Sequence, residues 1–353
     1  MKNETVVTVA QLEGFDEVID VRSPSEYALD HVPGAVNCPV LDDEQRARVG
    51  TIYTQVSPFE ARKVGAALTA RNIARHIEER FASRDRDWRA LVYCWRGGQR
   101  SGAMAHILRQ IGWQVATLQG GYRSYRREVL AQLEVLPLRF RFTVVCGPTG
   151  SAKSLLLLAL EHAGAQVLDL EALARHRGSV LGDLPGEPQP GQRRFESLIW
   201  ERLRHFDAAR RVFVESESRK IGALQVPTAL LQTLRGGECV VLEAPIEERV
   251  RYLKREYRHF LEDVALLKTK LAVLTEFYGR ETIGRWMALA DARDWDALVP
   301  DLLRNHYDPA YRRSTSNNFR HYHEAQALPL DRLDEPALQR AAAELVAAPN
   351  RVA

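Results

Sequence analysis

Two short loops carry the residues best suited to chemistry. The first is Tyr93-Cys94-Trp95-Arg96-Gly97-Gly98-Gln99-Arg100-Ser101. A thiol here ends a β-like run and precedes two glycines and a helix-like stretch. Successive backbone amides in such a loop converge into an anion nest. The helix that follows adds the positive end of its dipole. Arg96 and Arg100 add whole charges, and Gly97 and Gly98 let the chain curl tightly around the sulfur. Each of these favours thiolate over thiol, so Cys94 is expected to be nucleophilic near neutrality. A buried, inert strand-end cysteine is the plainer alternative, and the arginines and the glycine pair weigh against it.

The second loop is Gly147-Pro148-Thr149-Gly150-Ser151-Ala152-Lys153-Ser154. It has the order of a phosphate loop: strand, glycine turn, lysine, hydroxyl, helix. Amides from Thr149 to Ser154 are expected to wrap a diphosphate. Lys153 would neutralise it, and Ser154 would ligate Mg²⁺. Ala152 stands where a second glycine is usual, and its methyl group argues against ordinary nucleotide hydrolysis more than against diphosphate binding. A nucleotidase also needs an acidic residue at a neighbouring strand end. Glu215 and Glu217 are the candidates, with Asp169 as an alternative; a solvated acidic loop explains them equally well.

These loops need strands behind them and helices after them. Val18–Val21, Leu91–Tyr93 and Val115–Leu118 read as strands of a first α/β unit. A helix from Ser101 shows Met104, Ile107, Leu108 and Ile111 on one face and stops at Gly112. Phe142–Cys146, Val167–Leu170, Val212–Val214 and Cys239–Leu242 read as strands of a second. This repetition predicts parallel sheets covered by helices. Pro137 interrupts a leucine-rich stretch, so the expected ranges are 12–135 and 136–353, with a mostly helical segment from Ile246 to about Leu303. A short terminal helix is expected to hold Leu338, Ala342 and Leu345.

The 353 residues carry a formal net charge of +3, which permits a polyanionic partner without requiring one. The composition, 45% hydrophobic and 27% charged, is that of a globular protein. Cys38, Cys94, Cys146 and Cys239 form no CxxC pair and no metal-ligand spacing. Met1–Gln11 lacks a basic segment followed by an apolar core. The cysteines therefore read as reduced thiols of a cytoplasmic protein. No apolar run approaches a membrane span.

Most of residues 12–130 resembles the rhodanese family. Asp20-Val21-Arg22-Ser23-Pro24-Ser25-Glu26-Tyr27 and His31-Val32-Pro33-Gly34-Ala35-Val36-Asn37 match its signatures, and Cys94 falls where such domains carry a persulfide-forming cysteine. Asp20 and Arg22 are thereby marked as supporting residues. The spacing from Cys94 to Arg100 also fits the C-x5-R loop of cysteine phosphatases. No histidine directly precedes Cys94, and no motif supplies a general acid for that reaction.

Nearly the full chain resembles the tRNA 2-selenouridine synthase family, through Cys94-Trp95-Arg96-Gly97-Gly98, Gly120-Gly121-Tyr122-Arg123, the order of the two units, and Thr51-Ile52-Tyr53, Phe59-Glu60-Ala61-Arg62, His176-Arg177-Gly178-Ser179 and His306-Tyr307-Asp308-Pro309-Ala310-Tyr311. The resemblance implies a rhodanese-like parallel-sheet domain followed by an α/β domain of P-loop NTPase type with a helical C-terminal region. It implies exchange of sulfur for selenium in a wobble 2-thiouridine of tRNA. Geranyl diphosphate would alkylate the sulfur, and selenophosphate would then supply selenium through Cys94. Selenophosphate, and with it the enzyme that makes it, become expected partners. The protein itself is expected to be a monomer or weak oligomer. Arg123, Arg126, Arg251, Arg255 and Arg258, in clusters with tyrosines, are expected tRNA contacts. Leu155, Leu156, Phe195, Ile199 and Trp200 are either groove residues for the prenyl chain or ordinary core. The alternative reading is a sulfurtransferase fused to a nucleotide-dependent kinase or ATPase, with the arginine-rich helix after Pro245 as its lid. In either, His306 and Asp308 are catalytic or simply cap a helix.

Overall fold

The computed structural model describes residues 5–348. The first four residues of Met1–Gln11 and the last five of 136–353 lie outside the described residues. The chain forms two compact units, one of residues 5–132 with Gly191–Glu201 and one of residues 133–190 with 202–348.

The first unit holds strands β1 (Thr5–Val7), β2 (Glu17–Asp20), β3 (Val36–Asn37), β4 (Arg89–Tyr93) and β5 (Gln114–Leu118) in the order β1-β5-β4-β2-β3, all parallel. From Ala90 to Tyr93 every residue of the central β4 is buried, as a sheet covered on both faces demands. Around the strands lie α1 (Pro24–Leu29), α2 (Asp43–Gln55), α3 (Pro58–His76), α4 (Gln99–Ile111) and α5 (Gly121–Val135). Ser57 caps α3 by accepting the Glu60 amide at 3.1 Å, with Pro58 as the first helical residue. Gly112 ends α4 at a φ of 115°, a left-handed conformation open to glycine. Met104 and Leu108 of α4 are fully buried against Ile19 and Val92, each contributing about 1.5–3 kcal/mol of hydrophobic stabilisation.

The second unit holds β6 (Arg141–Cys146), then α6 (Lys153–His162), β7 (Gln166–Leu168) and α7 (Leu170–Ala174). Helix α8 (Gln192–Arg204) follows, and its residues up to Glu201 belong to the first unit. After β8 (Arg211–Glu215) comes a two-stranded antiparallel ribbon of β9 (Lys220–Ile221) and β10 (Leu224–Gln225), then α9 (Thr228–Arg235) and β11 (Glu238–Glu243). The parallel sheet runs β12-β11-β6-β8-β7, where β12 is Gln326–Pro329. Between β11 and β12 lie α10 (Ile246–Glu256), α11 (Arg258–Glu262), α12 (Val264–Ala272), α13 (Thr275–Asp291), α14 (Trp295–Leu302) and α15 (Asp308–Asn318). They have their own core around Trp286, Leu271 and Leu298. A wide-turn helical segment, Leu303–Tyr307, links α14 to α15, so the helical region continues to Asn318 rather than ending near Leu303. The terminal helix α16 (Glu335–Ala347) packs Leu338, Ala342 and Leu345 against α6.

Candidate active site

In the first unit Cys94 follows β4 directly, and α4 begins five residues later. Its sulfur accepts the Gly98 amide at 3.3 Å and the Ser101 hydroxyl at 3.3 Å. Burial pushes the thiol up. Hydrogen bonds from the Ser101 hydroxyl and from the amides of Ser101, Gly98 and Arg96 outweigh it, holding Cys94 below the usual thiol range. The lowering therefore comes from local donors. Arg96 is exposed, and Arg100 donates to Glu26 at 2.8 Å, a carboxylate that also pairs with Arg46. Ser101 is the residue whose contribution here the sequence pattern does not announce.

A second glycine pair holds this loop. Gly121 has a φ of 58°, and a Cβ on it would lie 2.2 Å from the Cys94 carbonyl oxygen. Gly97 has a φ of 67°, and its Cβ would lie 2.7 Å from the Leu118 carbonyl oxygen. Only glycines allow this approach. The Tyr122 amide then donates to the Cys94 carbonyl at 2.8 Å, and the Trp95 and Tyr122 rings stack with centroids 5.2 Å apart. Beneath them Asp20 and Arg22 are buried. Arg22 donates Nη2 to Asp20 at 2.6 Å and to the Asp30 carbonyl at 2.7 Å, and its guanidinium lies 4.0 Å from the Tyr122 centroid. Asp20 and Arg22 thus position the ring that braces the loop, and neither opens to solvent.

In the second unit the phosphate loop joins β6 to α6. Ala152 sits just before the helix at φ 61°, ψ 35°, so the residue in glycine's usual place has adopted the left-handed conformation itself. Its methyl group is buried among the apolar residues under α6. Lys153 Nζ donates to the Gly147 carbonyl at 2.8 Å, and Tyr311 accepts the Gly147 amide at 2.6 Å. The first amides of α6 have no partners within the helix, as at any helix start. Ser154 donates to Glu171 at 2.9 Å, and the Glu171 amide donates to Glu215 at 2.6 Å. Glu215 ends β8, next to β6, and is buried with Oε2 unpartnered. Burial and the neighbouring Asp169, Glu171 and Glu217 charges push its carboxyl well up. Glu217 is raised by burial and by Glu171. Asp169 caps α7 through the Ala172 amide at 2.8 Å; burial first, then Glu171 and Glu161, lift it to about 6.

A clamp from distant sequence fixes the loop. Arg249 of α10 donates from Nε and Nη2 to the Thr149 carbonyl at 2.9 and 2.7 Å, and from Nη1 to Asp308 at 3.0 Å. Asp308 is therefore the clamp's anchor, while His306 meets the Tyr278 hydroxyl at 2.7 Å. Around the loop lies a cavity of about 320 Å³ lined also by Glu171, His176, Arg177 and Tyr252. Adjoining it, and sharing Thr149, Leu253 and Tyr257, is a narrow slot of about 60 Å³. Its wall is almost wholly apolar, with Leu267, Leu298, Val299 and Leu302.

The expected groove residues divide. Leu155 lines the loop cavity, whereas Leu156 is buried core under α6. Phe195, Ile199 and Trp200 belong to the first unit, where Trp200 meets Tyr125 edge-on with centroids 5.6 Å apart. All three are buried core of that unit. Among the expected RNA contacts, Arg126 is half-buried and paired with Glu196, so its charge is spent internally. Arg123 is exposed. Arg251, Arg255 and Arg258 are exposed too, beside Glu248, Glu256 and Glu262. Among the described residues no group of three metal-ligating side chains occurs, and no helix is long and apolar enough to cross a membrane.

A thiol cradle on a parallel sheet and a phosphate loop on a second sheet define a rhodanese-type unit joined to a P-loop-like α/β unit. A family model for the rhodanese-like domain matches residues 7–128, and one described as the tRNA 2-selenouridine synthase AAA domain matches residues 140–278. Proteins named tRNA 2-selenouridine synthase are similar along most of the chain. The one from Hydrogenovibrio crunogenus is 36% identical over 70% of this chain and 72% of its own. That of Chromohalobacter salexigens is 35% identical over 84% and 87%. For the Nitrosomonas europaea protein, 34% identical over 68% of this chain, the match spans 63% of its length, a little under two thirds. The chain belongs to the tRNA 2-selenouridine synthase family.

Proposed function

We propose that this protein replaces sulfur by selenium in wobble 2-thiouridine of tRNA, in two steps. The thiocarbonyl sulfur attacks C1 of geranyl diphosphate, the C–O bond breaks, and pyrophosphate leaves. Selenium from selenophosphate then attacks C2, the C2–S bond breaks and the geranylthiol group departs, and water cleaves the Se–P bond to release inorganic phosphate. A thiocarbonyl sulfur is a poor leaving group; alkylation makes it expendable. Negative charge grows on the diphosphate as its bond to carbon breaks, so Lys153 and the amides at the start of α6 act most strongly in the transition state. Ser154 and Glu171 offer hard oxygens suited to Mg²⁺, which would take its remaining ligands from phosphate and water and neutralise the diphosphate. The Cys94 loop receives selenophosphate and aims its selenium at C2 without forming an S–Se bond, with Arg96 and Arg100 drawing in the anion.

The observation that carries this reading is the apolar slot beside the phosphate loop. A purine needs a broad flat pocket with polar edges. A slot of about 60 Å³, several times the roughly 10–15 Å³ that a cavity needs to admit one water, suits a thin hydrocarbon chain whose diphosphate sits on the loop.

The test is mass spectrometry of 2-thiouridine tRNA incubated with protein, Mg²⁺ and geranyl diphosphate, with and without selenophosphate. The expected products are S-geranyl-2-thiouridine without selenophosphate and 2-selenouridine with it. Cys94→Ala is expected to stop at the geranylated nucleoside. No reaction with prenyl donors, together with brisk ATP hydrolysis, would instead establish the fused ATPase.

A further inference from the structure

Helices α2 and α3 and the first turn of α4 enclose a groove of about 830 Å³ in the first unit. One of its walls is the helix start that cradles Cys94, through Gln99 and Arg100. Its floor is bare, because Ala61, Gly65 and Ala66 present little or no side chain; a Cβ on Gly65 would meet only Val49, at 3.4 Å. Tyr53 stands in the groove and is 58% exposed. At the start of α3 Phe59 is 62% exposed, with Lys63 Nζ 5.2 Å from its ring centroid. Burying neither ring forgoes stabilisation that a core position would have supplied.

The charges that line the groove are of one sign. Arg62 and Arg100 line the groove, and no carboxylate does. Arg100 shares Glu26 with Arg46, leaving one positive charge in excess, and Lys63 pairs with Glu60. Arg62 uses Nε on the Pro58 carbonyl and has no ion-pair partner among the described residues. Exposed aromatic faces beside a guanidinium free of any ion pair among the described residues, that of Arg62, are what single-stranded RNA requires: bases stack on the rings and phosphates meet the cations. The groove's volume is that of a small-molecule pocket, enough for one or two nucleotides and too short for a helix from another protein.

We propose that this groove receives unstacked nucleotides of the RNA substrate, with a base on Tyr53 or Phe59 and a backbone phosphate at Arg62, bringing the neighbouring nucleotide towards the Cys94 loop. This rests on the reading of tRNA as substrate.

The probe is a 17-nucleotide anticodon stem-loop carrying 2-thiouridine, with a blunt RNA duplex of equal length as control. Tyr53→Ala and Phe59→Ala are expected to weaken stem-loop binding about ten-fold each and leave duplex binding unchanged. Tyr53→Phe should restore it. Arg62→Ala should lower the slope of log affinity against log salt by about one. Both rings are exposed, so unchanged melting temperatures are expected. Stem-loop binding by the alanine variants at wild-type strength would overturn the groove assignment. If wild-type protein still forms 2-selenouridine, the functional reading survives that failure. Absence of any stem-loop binding by the wild type would overturn both. Intact RNA binding with lost selenium delivery from a selenophosphate-forming enzyme would assign the groove to a protein and refute the RNA proposal.

Discussion

Ser101→Ala tests the account of Cys94 most directly. The hydroxyl lies 3.3 Å from the sulfur and 3.2 Å from the Gly98 carbonyl, so its single proton is shared between them. A hydrogen bond to a charged group contributes about 1.5–3 kcal/mol. At about 1.4 kcal/mol per pKa unit that corresponds to roughly one to two units, and the sharing points to the lower end. Loss of the hydroxyl should therefore raise the Cys94 pKa by about one unit, because the thiolate loses a donor that the thiol scarcely needs. The Gly98 amide remains, at 3.3 Å. The assay is alkylation by iodoacetamide across pH, read at the Cys94 peptide by mass spectrometry. Reaction should rise with pH through a midpoint below the ordinary thiol range in the wild type and about one unit higher in the variant. Well below either midpoint the variant should react about ten-fold more slowly. Arg100→Ala should shift the midpoint less, since Glu26 already holds that guanidinium. An unmoved or lowered midpoint in Ser101→Ala, or a larger shift in Arg100→Ala, would refute the claim that local donors set this thiol.

Gly121→Ala should cost at least about 2 kcal/mol, from left-handed strain and contact with the Cys94 carbonyl, and should slow Cys94 alkylation; thermal unfolding and the same peptide assay check it. Arg249→Ala strands Asp308 and frees the Thr149 carbonyl, so a stability loss of about 3–5 kcal/mol and weaker pyrophosphate binding are expected by calorimetry. Val299→Trp should fill the slot, weakening geranyl diphosphate binding about ten-fold or more while sparing pyrophosphate. Asp169 has a folded-state pKa near 6, above its unfolded value, so its contribution favours folding below about pH 4 and is lost as pH rises towards 6. Asp169→Asn keeps a capping oxygen and should flatten the fall in melting temperature across that window.

Both loops were legible because each is contiguous: a strand, a glycine turn and a helix start place the chemistry within ten residues. The sheets followed from buried runs such as Leu91–Tyr93. The short edge strands β1, β3 and β12 carry too few residues for a periodic pattern. The Arg249–Asp308 clamp joins residues that only tertiary packing brings together, and nothing in either segment names the other. The slot draws on α10, α12 and α14, whose leucines look like any helix core. Phe195, Ile199 and Trp200 show the converse limit: a pattern marks an apolar face but not what covers it. Ser101 was visible in the motif, yet its contribution needed the hydrogen-bond geometry.

Residues Gly191–Glu201 complete the core of a unit that otherwise ends near Gln132. Ser197 donates to the buried Asp30 at 3.0 Å, and the same oxygen receives Tyr122 at 2.9 Å. Synthesis from the N-terminus thus releases the cysteine's sheet some seventy residues before its last piece emerges. A fragment cut after Gln132 would leave Asp30 with the Tyr122 donor alone and bare the face that Trp200 covers, so the thiol half closes its core with residues that come after the phosphate loop.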